Sequence, residues 1–214
     1  MIVDNKYRLY GRSKGRGKCN QISNKVKNIK IKKIDSNKYN IIDIGVGYGE
    51  STLEIAKTNS NKFIIACEKY IDGVNKIADE ISISNMNNIN IFHGNVHQLL
   101  DEYCANKSIS EIWILFPDPW PKKRHFKRRL INKNFLKKIK NYLKDKAIIH
   151  IASDSKSYIS EILLSVYELR NDYKWDNQKK EGWDYAHLSM PKTKYFKKAL
   201  KKGDKPFYLK LIKL

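Results

Sequence analysis

The densest concentration of reactive residue types in the sequence is Phe116-Pro117-Asp118-Pro119-Trp120-Pro121, followed by Lys122, Lys123, Arg124, His125, Lys127, Arg128 and Arg129. Three prolines in five residues each fix their own φ, so Asp118 is held between rigid neighbours. A held carboxylate can accept hydrogen bonds from the edge of a substrate and stabilise positive charge that develops opposite it. Trp120 offers a flat face for an unstacked base, and the seven basic residues, counting His125 when protonated, can hold phosphates. Each part has a plainer alternative: prolines that end a strand, a tryptophan that plugs the core, a charge run that is a solvated helix face. Their coincidence after the buried-strand pattern Ile112-Trp113-Ile114-Leu115 favours chemistry, because open α/β sheets bind ligands at the carboxyl ends of their strands.

A second constellation lies upstream. Ile41-Ile42-Asp43-Ile44-Gly45-Val46-Gly47-Tyr48-Gly49-Glu50-Ser51-Thr52 reads as a strand, a glycine-rich turn and a helix start, with Ser51 or Thr52 as a cap. Glu68 follows the next apolar run, 23 residues beyond Gly45, where an acidic side chain can accept both hydroxyl hydrogens of a ribose. The two features together indicate an adenosine-containing ligand. The third glycine, Gly49, does not fit the spacing of a dinucleotide fingerprint, and Glu50 repels a pyrophosphate. Asp43 and its acidic neighbours favour a cationic cofactor, S-adenosyl-L-methionine. Asn95, after the third apolar run, is placed either to meet an adenine edge or simply to cap a helix. His93 and His97 stand four apart without a third ligand and read as structural, so no metal is expected.

Lys+Arg 43 against Asp+Glu 22 gives a net charge of +21, a field that draws polyanions and makes nucleic acid the natural partner. A genome rich in A and T could supply Lys, Asn and Ile without any binding role, but the charges also cluster. Cys19, Cys67 and Cys104 are odd in number and widely spaced, which argues against disulfides or zinc and for reduced structural thiols. No apolar run approaches the length of a membrane span, and the N-terminus has no secretory pattern, so a cytoplasmic protein is expected.

Residues 1–38 are polar and basic with scattered glycines and read as a flexible arm; residues 39–214 read as a single domain. Within it, short β-branched runs at Ile41–Ile44, Phe63–Cys67, Ile89–Phe92, Ile112–Phe116 and Ala147–Ile151 alternate with stretches long enough for helices. That alternation predicts an α/β fold of Rossmann-like type, with a mostly parallel central sheet and helices on both faces. Ile131, Phe135, Ile139 and Tyr142 predict a helix over 126–143, and Ile159, Ile162, Leu163 and Val166 another over 155–169. The tail Phe207–Ile212 predicts a last, antiparallel strand at or near the sheet edge.

At Asp118 through His125 the sequence resembles the bacterial tRNA (guanine-N7)-methyltransferases, matching their Asp-Pro-Trp-Pro-Lys-Lys-Arg-His string without a gap. The resemblance runs from Tyr10-Gly11-Arg12-Ser13 through the glycine turn, Glu68 and Ser153-Asp154 to Thr193-Lys194-Tyr195. It implies an S-adenosyl-L-methionine-dependent methyltransferase fold and transfer of a methyl group to N7 of guanosine 46 in the tRNA variable loop. It further implies that Asp43, Gly45, Gly47, Glu68, Asn95 and Asp118 line the cofactor site and that Asp118 is the catalytic carboxylate. Lys122, Asp154, Thr193 and Tyr195 would meet the substrate, and Lys123, Arg124, Lys127, Arg128 and Arg129 the tRNA backbone. The implied partner is tRNA, with no obligate protein partner and no membrane; monomer and homodimer both stay open.

Three positions depart from the family pattern. Asp43 stands where Glu is usual, Asn95 where Asp is usual, and Phe196 where the Thr-x-Tyr-Glu stretch ends in Glu. Phe196 is expected to remove one substrate or cofactor contact, since it accepts no hydrogen bond. Two other readings are kept: an amino-methyltransferase on adenine or cytosine, whose Asp-Pro-Pro-aromatic turn occupies the same structural place, and a non-catalytic basic RNA-binding module.

Overall fold

The computed structural model describes residues 21–29, 31 and 33–214, without the side chains of residues 27, 28 and 187. Seven strands form one sheet: β1 Asn40–Ile44, β2 Phe63–Glu68, β3 Ile89–His93, β4 Ile109–Leu115, β5 Leu143–Ser153, β6 Tyr173–Trp175 and β7 Phe207–Lys213. Their order is β3-β2-β1-β4-β5-β7-β6. The first five run parallel, while β7 is antiparallel to both β5 and β6. The five β-branched runs became β1 to β5, and every residue of β1 and β4 is buried, as strands covered on both faces require.

Among the described residues seven α-helices flank the sheet: α1 Asn24–Asn28, α2 Glu50–Thr58, α3 Ile71–Ile83, α4 Val96–Tyr103, α5 Lys133–Lys140, α6 Lys156–Glu168 and α7 Lys194–Lys201. Ile55, Val74, Ile77 and Phe196 bring α2, α3 and α7 into one core with Ile41, Ile64, Ile91 and Trp113. Leu99, Phe135, Ile139, Tyr158 and Ile162 bring α4, α5 and α6 into the other, against Ile42, Ile65, Ile112 and Ile149. The sheet is therefore sandwiched, and the carboxyl ends of β1, β2 and β4 share one rim.

Of the stretch read as an arm, residues 1–20, 30 and 32 lie outside the described residues. Among the others Val26, Ile31 and Ile34 are buried, and the strand edge at Ile91 exchanges backbone hydrogen bonds with Ile29 and Ile31. One reading needs correction. The helix expected over 126–143 is a 3-10 turn at Lys123–Arg128, an extended residue at Arg129, and then α5, which ends at Lys140. Asn132 restarts the helix, its Oδ1 accepting from Phe135 N at 3.0 Å, and Leu143 already belongs to β5. The 3.6 periodicity persisted because Ile131 is buried without being helical. The tail is the antiparallel strand expected near the sheet edge; β6, a three-residue strand too short to leave a pattern, lies outside it.

Candidate active site

The strand β1 delivers Asp43 to the rim, where it is 1% exposed. Its Oδ2 accepts from Ser51 Oγ at 2.8 Å and Thr52 Oγ1 at 2.7 Å, tying the start of α2 back to the strand. Burial raises the Asp43 carboxyl to about 6 despite those two hydroxyls, and the charge of Glu68 adds to the rise. Between them the chain turns through Gly45 at φ +75° and Gly47 at φ +58°, left-handed angles that favour glycine. A Cβ on Gly45 would meet nothing within 4 Å, so the backbone there is an open cradle.

Glu68 closes the turn from the end of β2. One oxygen accepts from Gly47 N at 2.7 Å, and the other from Lys69 N at 2.7 Å and Tyr70 N at 2.8 Å. The carboxylate is thus oriented by three backbone amides, with lone-pair capacity left for a ligand hydroxyl.

Across the rim, β4 ends in the proline turn. Phe116 N donates to Ala152 O of β5 at 2.8 Å. Phe116 and Trp120 have φ of +54° and +41°, and non-glycine residues in that region cost on the order of 1–3 kcal/mol each. Such angles persist only where surrounding contacts hold them. The rigidity that three prolines promise is therefore reinforced by strain.

Gly45, Gly47 and Glu68 share with Phe116, Pro117, Asp118 and Trp120 one cleft of about 750 Å³, whose remaining lining is Tyr48, Tyr70, Lys194 and Tyr195. A smaller cavity beside it is bounded by Asp43, Glu50, Leu115 and Thr193, with Lys194 and Tyr195 again on its wall. Tyr195 lines the cleft together with Asp118 and Glu68, and burial, with the charges of those two carboxylates, raises its phenol. Thr193 caps α7, its Oγ1 accepting from Phe196 N at 3.3 Å, and so aims Lys194 and Tyr195 at the cleft. Sequence reasoning missed Tyr48, Tyr70 and Lys194; an aromatic two residues past the strand, as Tyr70 stands, was the only local signal.

Other expected residues fall elsewhere. Asn95 is outside both linings among the described residues; it is buried and caps α4 through Oδ1, which accepts from His97 N at 2.8 Å. Lys122, Lys123, Arg124 and Lys127 are exposed along the turn after Trp120, and Arg128 is half-buried with its guanidinium carbon 5.0 Å from the Trp120 ring centre. Burial and four neighbouring cations, Arg128 first among them, lower the His125 imidazole from its ordinary value. Asp154 is half-buried just past β5.

Arg129 corrects its reading as a backbone contact: its side chain is fully buried and paired with Glu161. Phe196 is likewise a core residue, 6% exposed, its ring centre 5.2 Å from that of Tyr185. His97 lies edge-on to Phe135, and His93 Nε2 is 3.2 Å from Lys69 O. Cys67 is buried and Cys104 half-buried; burial raises both thiols, Cys104 to about 12, and Cys19 lies outside the described residues.

The basic face of α5 is compensated. Lys133 pairs with Glu168 at 3.0 Å, Lys138 with Asp101 at 2.7 Å, and Lys140 with Asp172. Among the described residues, no helix is long and apolar enough to cross a membrane.

An open glycine backbone beside an acidic pair suits the sugar and the ammonium of S-adenosyl-L-methionine, and a proline-held carboxylate faces it. Comparison with known proteins agrees. Residues 37–209 match the protein family Methyltransf_4, described as "Putative methyltransferase". A tRNA (guanine-N(7)-)-methyltransferase of Ruegeria pomeroyi is 34% identical over 168 residues, 78% of this chain and 70% of that protein. Its counterpart in Buchnera aphidicola subsp. Schizaphis graminum is 35% identical over 170 residues, 79% and 70%. Among solved structures, an rRNA methylase from Streptococcus thermophilus has a TM-score of 0.55 at 15% identity, over 89% of this chain and 92% of that one. A methyltransferase from Streptococcus mutans in complex with SAH gives 0.55 at 15% identity, over 85% and 91%. These structures share the fold; the sequence relatives and the gapless motif decide the rest, and the chain belongs to the family of S-adenosyl-L-methionine-dependent tRNA (guanine-N7)-methyltransferases.

Proposed function

We propose that this chain transfers the methyl group of S-adenosyl-L-methionine to N7 of guanosine 46 in the variable loop of tRNA, with Asp118 as the carboxylate facing the reacting base. The observation that carries this is the shared cleft: Asp118 and Trp120 on one wall, Gly45, Gly47 and Glu68 on the other. The cofactor supplies an electrophilic methyl on a sulfonium.

Guanine N7 has a free lone pair and no proton, so the reaction needs placement and charge stabilisation rather than a strong base. Asp118 accepts hydrogen bonds from the guanine edge and offsets the positive charge that moves onto the purine. Trp120 stacks the base. Tyr195, which lines the cleft with Asp118 and Glu68, closes it from α7 and excludes water. Lys122 and Asp154 meet the nucleoside, while Lys123, Arg124, Lys127 and Arg128 run along the phosphates. Asp43 contributes negative potential for the cofactor's ammonium and holds the glycine turn in shape through Ser51 and Thr52. The reaction takes place in the cytoplasm, without an obligate protein partner.

Unmodified tRNA incubated with the protein and isotopically labelled S-adenosyl-L-methionine, then digested and analysed by mass spectrometry, should yield 7-methylguanosine in the fragment carrying position 46. Labelled N6-methyladenosine or N4-methylcytidine would replace this reading with the amino-methyltransferase one. Saturable tRNA binding with no cofactor binding by calorimetry would leave an RNA-binding module.

A further inference from the structure

We infer that Arg129 is a positioning residue that clamps the Asp118 turn to the start of α6, an inference that rests on Asp118 being the carboxylate that faces the substrate. Arg129 ends the basic run, yet its side chain is 0% exposed and its donors face inward. Nε donates to Pro119 O at 2.8 Å, one residue past Asp118. Nη2 donates to Ser157 Oγ at 2.9 Å, and Nη1 to Ser157 O at 3.3 Å and to Glu161 Oε2. The guanidinium carbon lies 3.6 Å from the centre of the Phe126 ring and 4.9 Å from that of Tyr158. One planar group therefore joins three pieces: the proline turn, the 3-10 segment that carries the exposed cations, and the first two turns of α6, next to Asp154.

The location of the Pro119 contact gives it a purpose. It falls between Phe116 and Trp120, the two residues with positive φ. The far end of the turn is already pinned by Phe116 N on Ala152 O of β5. Arg129 pins the near end, so Asp118 is suspended between two fixed points and Trp120 is kept from relaxing to a negative φ. Lysine cannot do this, because a single ammonium on a flexible stem does not span a carbonyl and α6 together in a fixed fork. A phosphate contact, the role its place in the run suggests, is excluded by full burial and by donors already engaged.

Arg129→Lys tests the clamp. Single-turnover methyl transfer at saturating cofactor should slow by about 100-fold, the scale of a small misplacement of a reacting group. Affinity for tRNA should stay within about twofold, and the dependence of log Kd on log salt should keep its slope. Because Arg129 acts on the rate largely through the turn that carries Asp118, Arg129→Lys should cost much less on an Asp118→Ala background than in the parent. An unchanged rate, a salt slope shallower by about the value of one phosphate, or multiplied losses in the double variant would each overturn the inference.

A second readout separates the clamp from the chemistry. With 5-fluorotryptophan incorporated and the Trp120 resonance assigned through Trp120→Phe, the Trp120 fluorine line should shift and broaden in Arg129→Lys; an unmoved line refutes the clamp. If Asp118→Ala transfers methyl as fast as the parent, the catalytic reading fails, and the fluorine line alone decides the clamp. Should lysine at 129 prevent folding, Ser157→Ala, which removes one anchor and keeps the arginine, should lower the single-turnover rate about 3- to 10-fold; no loss there overturns the inference.

Discussion

The carboxylate of Glu50, in the first turn of α2, accepts a hydrogen bond from the backbone N–H of Lys194, in the first turn of α7. This joins the glycine turn to the wall that carries Tyr195. The first turn of α7 contains no acidic residue of its own, so Glu50 supplies negative charge to a helix N-terminus from another element. In the family pattern an acidic residue stands at 196; here that position is given to packing against Tyr185. Phe196→Glu should therefore destabilise the fold by about 2–4 kcal/mol, the combined cost of losing a buried ring and burying a carboxylate, and should not raise activity. Urea denaturation followed by tryptophan fluorescence measures the first part; equal stability would show that Lys192, whose Nζ is 4.8 Å from the Phe196 ring centre, accommodates the charge.

Asp118→Ala should lower the rate of methyl transfer by about 10²–10³-fold, as expected when a preorganised group that stabilises transition-state charge is removed. Binding of tRNA should remain close to that of the parent, because the carboxylate matters most where positive charge develops. Filter binding and single-turnover kinetics on the same preparation separate the two. A parallel loss of affinity would assign Asp118 to ground-state binding.

Replacing Lys122, Lys123 and Arg124 together with Ala should weaken tRNA binding at low salt and make log Kd less steep against log salt, by about 0.7–0.9 for each phosphate that is no longer neutralised. A slope that does not change would mean that these exposed cations are solvated and touch no phosphate.

The pH dependence of cofactor affinity follows from Asp43. Its carboxyl is raised to about 6 because burial outweighs the hydrogen bonds from Thr52 and Ser51, with Glu68 adding to the rise. A cation bound nearby favours the carboxylate, so binding expels the proton. Affinity should then be greatest above pH 6 and fall as pH drops through that value, by up to about tenfold per unit. The raised value has the opposite sense for folding: the stability it contributes is full below the ordinary aspartate range and is lost as pH rises through about 6. Calorimetric titration with S-adenosyl-L-methionine from pH 5 to pH 8 checks the first effect, and Asp43→Asn should flatten it.

How much could be read without coordinates depended on how far apart the interacting residues lie in the chain. Asp43 bonds to Ser51 and Thr52 across the glycine turn, within nine residues, and a strand, turn and helix start were legible there. The alternation of β-branched runs with longer segments predicted the sheet, because a strand buried on both faces must be apolar at every position. Arg129 was not legible: seven basic residues in an eight-residue span look alike, and what turns one of them inward is Ser157 and Glu161, 28 and 32 residues away. The helix over 126–143 failed for a related reason. Ile131 keeps the helical period while Arg129 is drawn toward Pro119, and the chain bends through Leu130 and Ile131 before α5 begins. At Asn95 a local rule, capping, accounts for the side-chain oxygen that a ligand role would use.

The ion pairs on α5 bear on how an RNA arrives. Three of its lysines are neutralised by Asp101, Glu168 and Asp172, whereas Lys122, Lys123, Arg124 and Lys127 beside the cleft and Lys197, Lys198, Lys201 and Lys202 at α7 are exposed. Among the described residues, exposed cations therefore stand beside the cleft while those three of α5 are paired with carboxylates. A polyanion approaching the rim meets a positive local field before any contact forms. That attraction reaches farthest at low ionic strength, where screening is weakest.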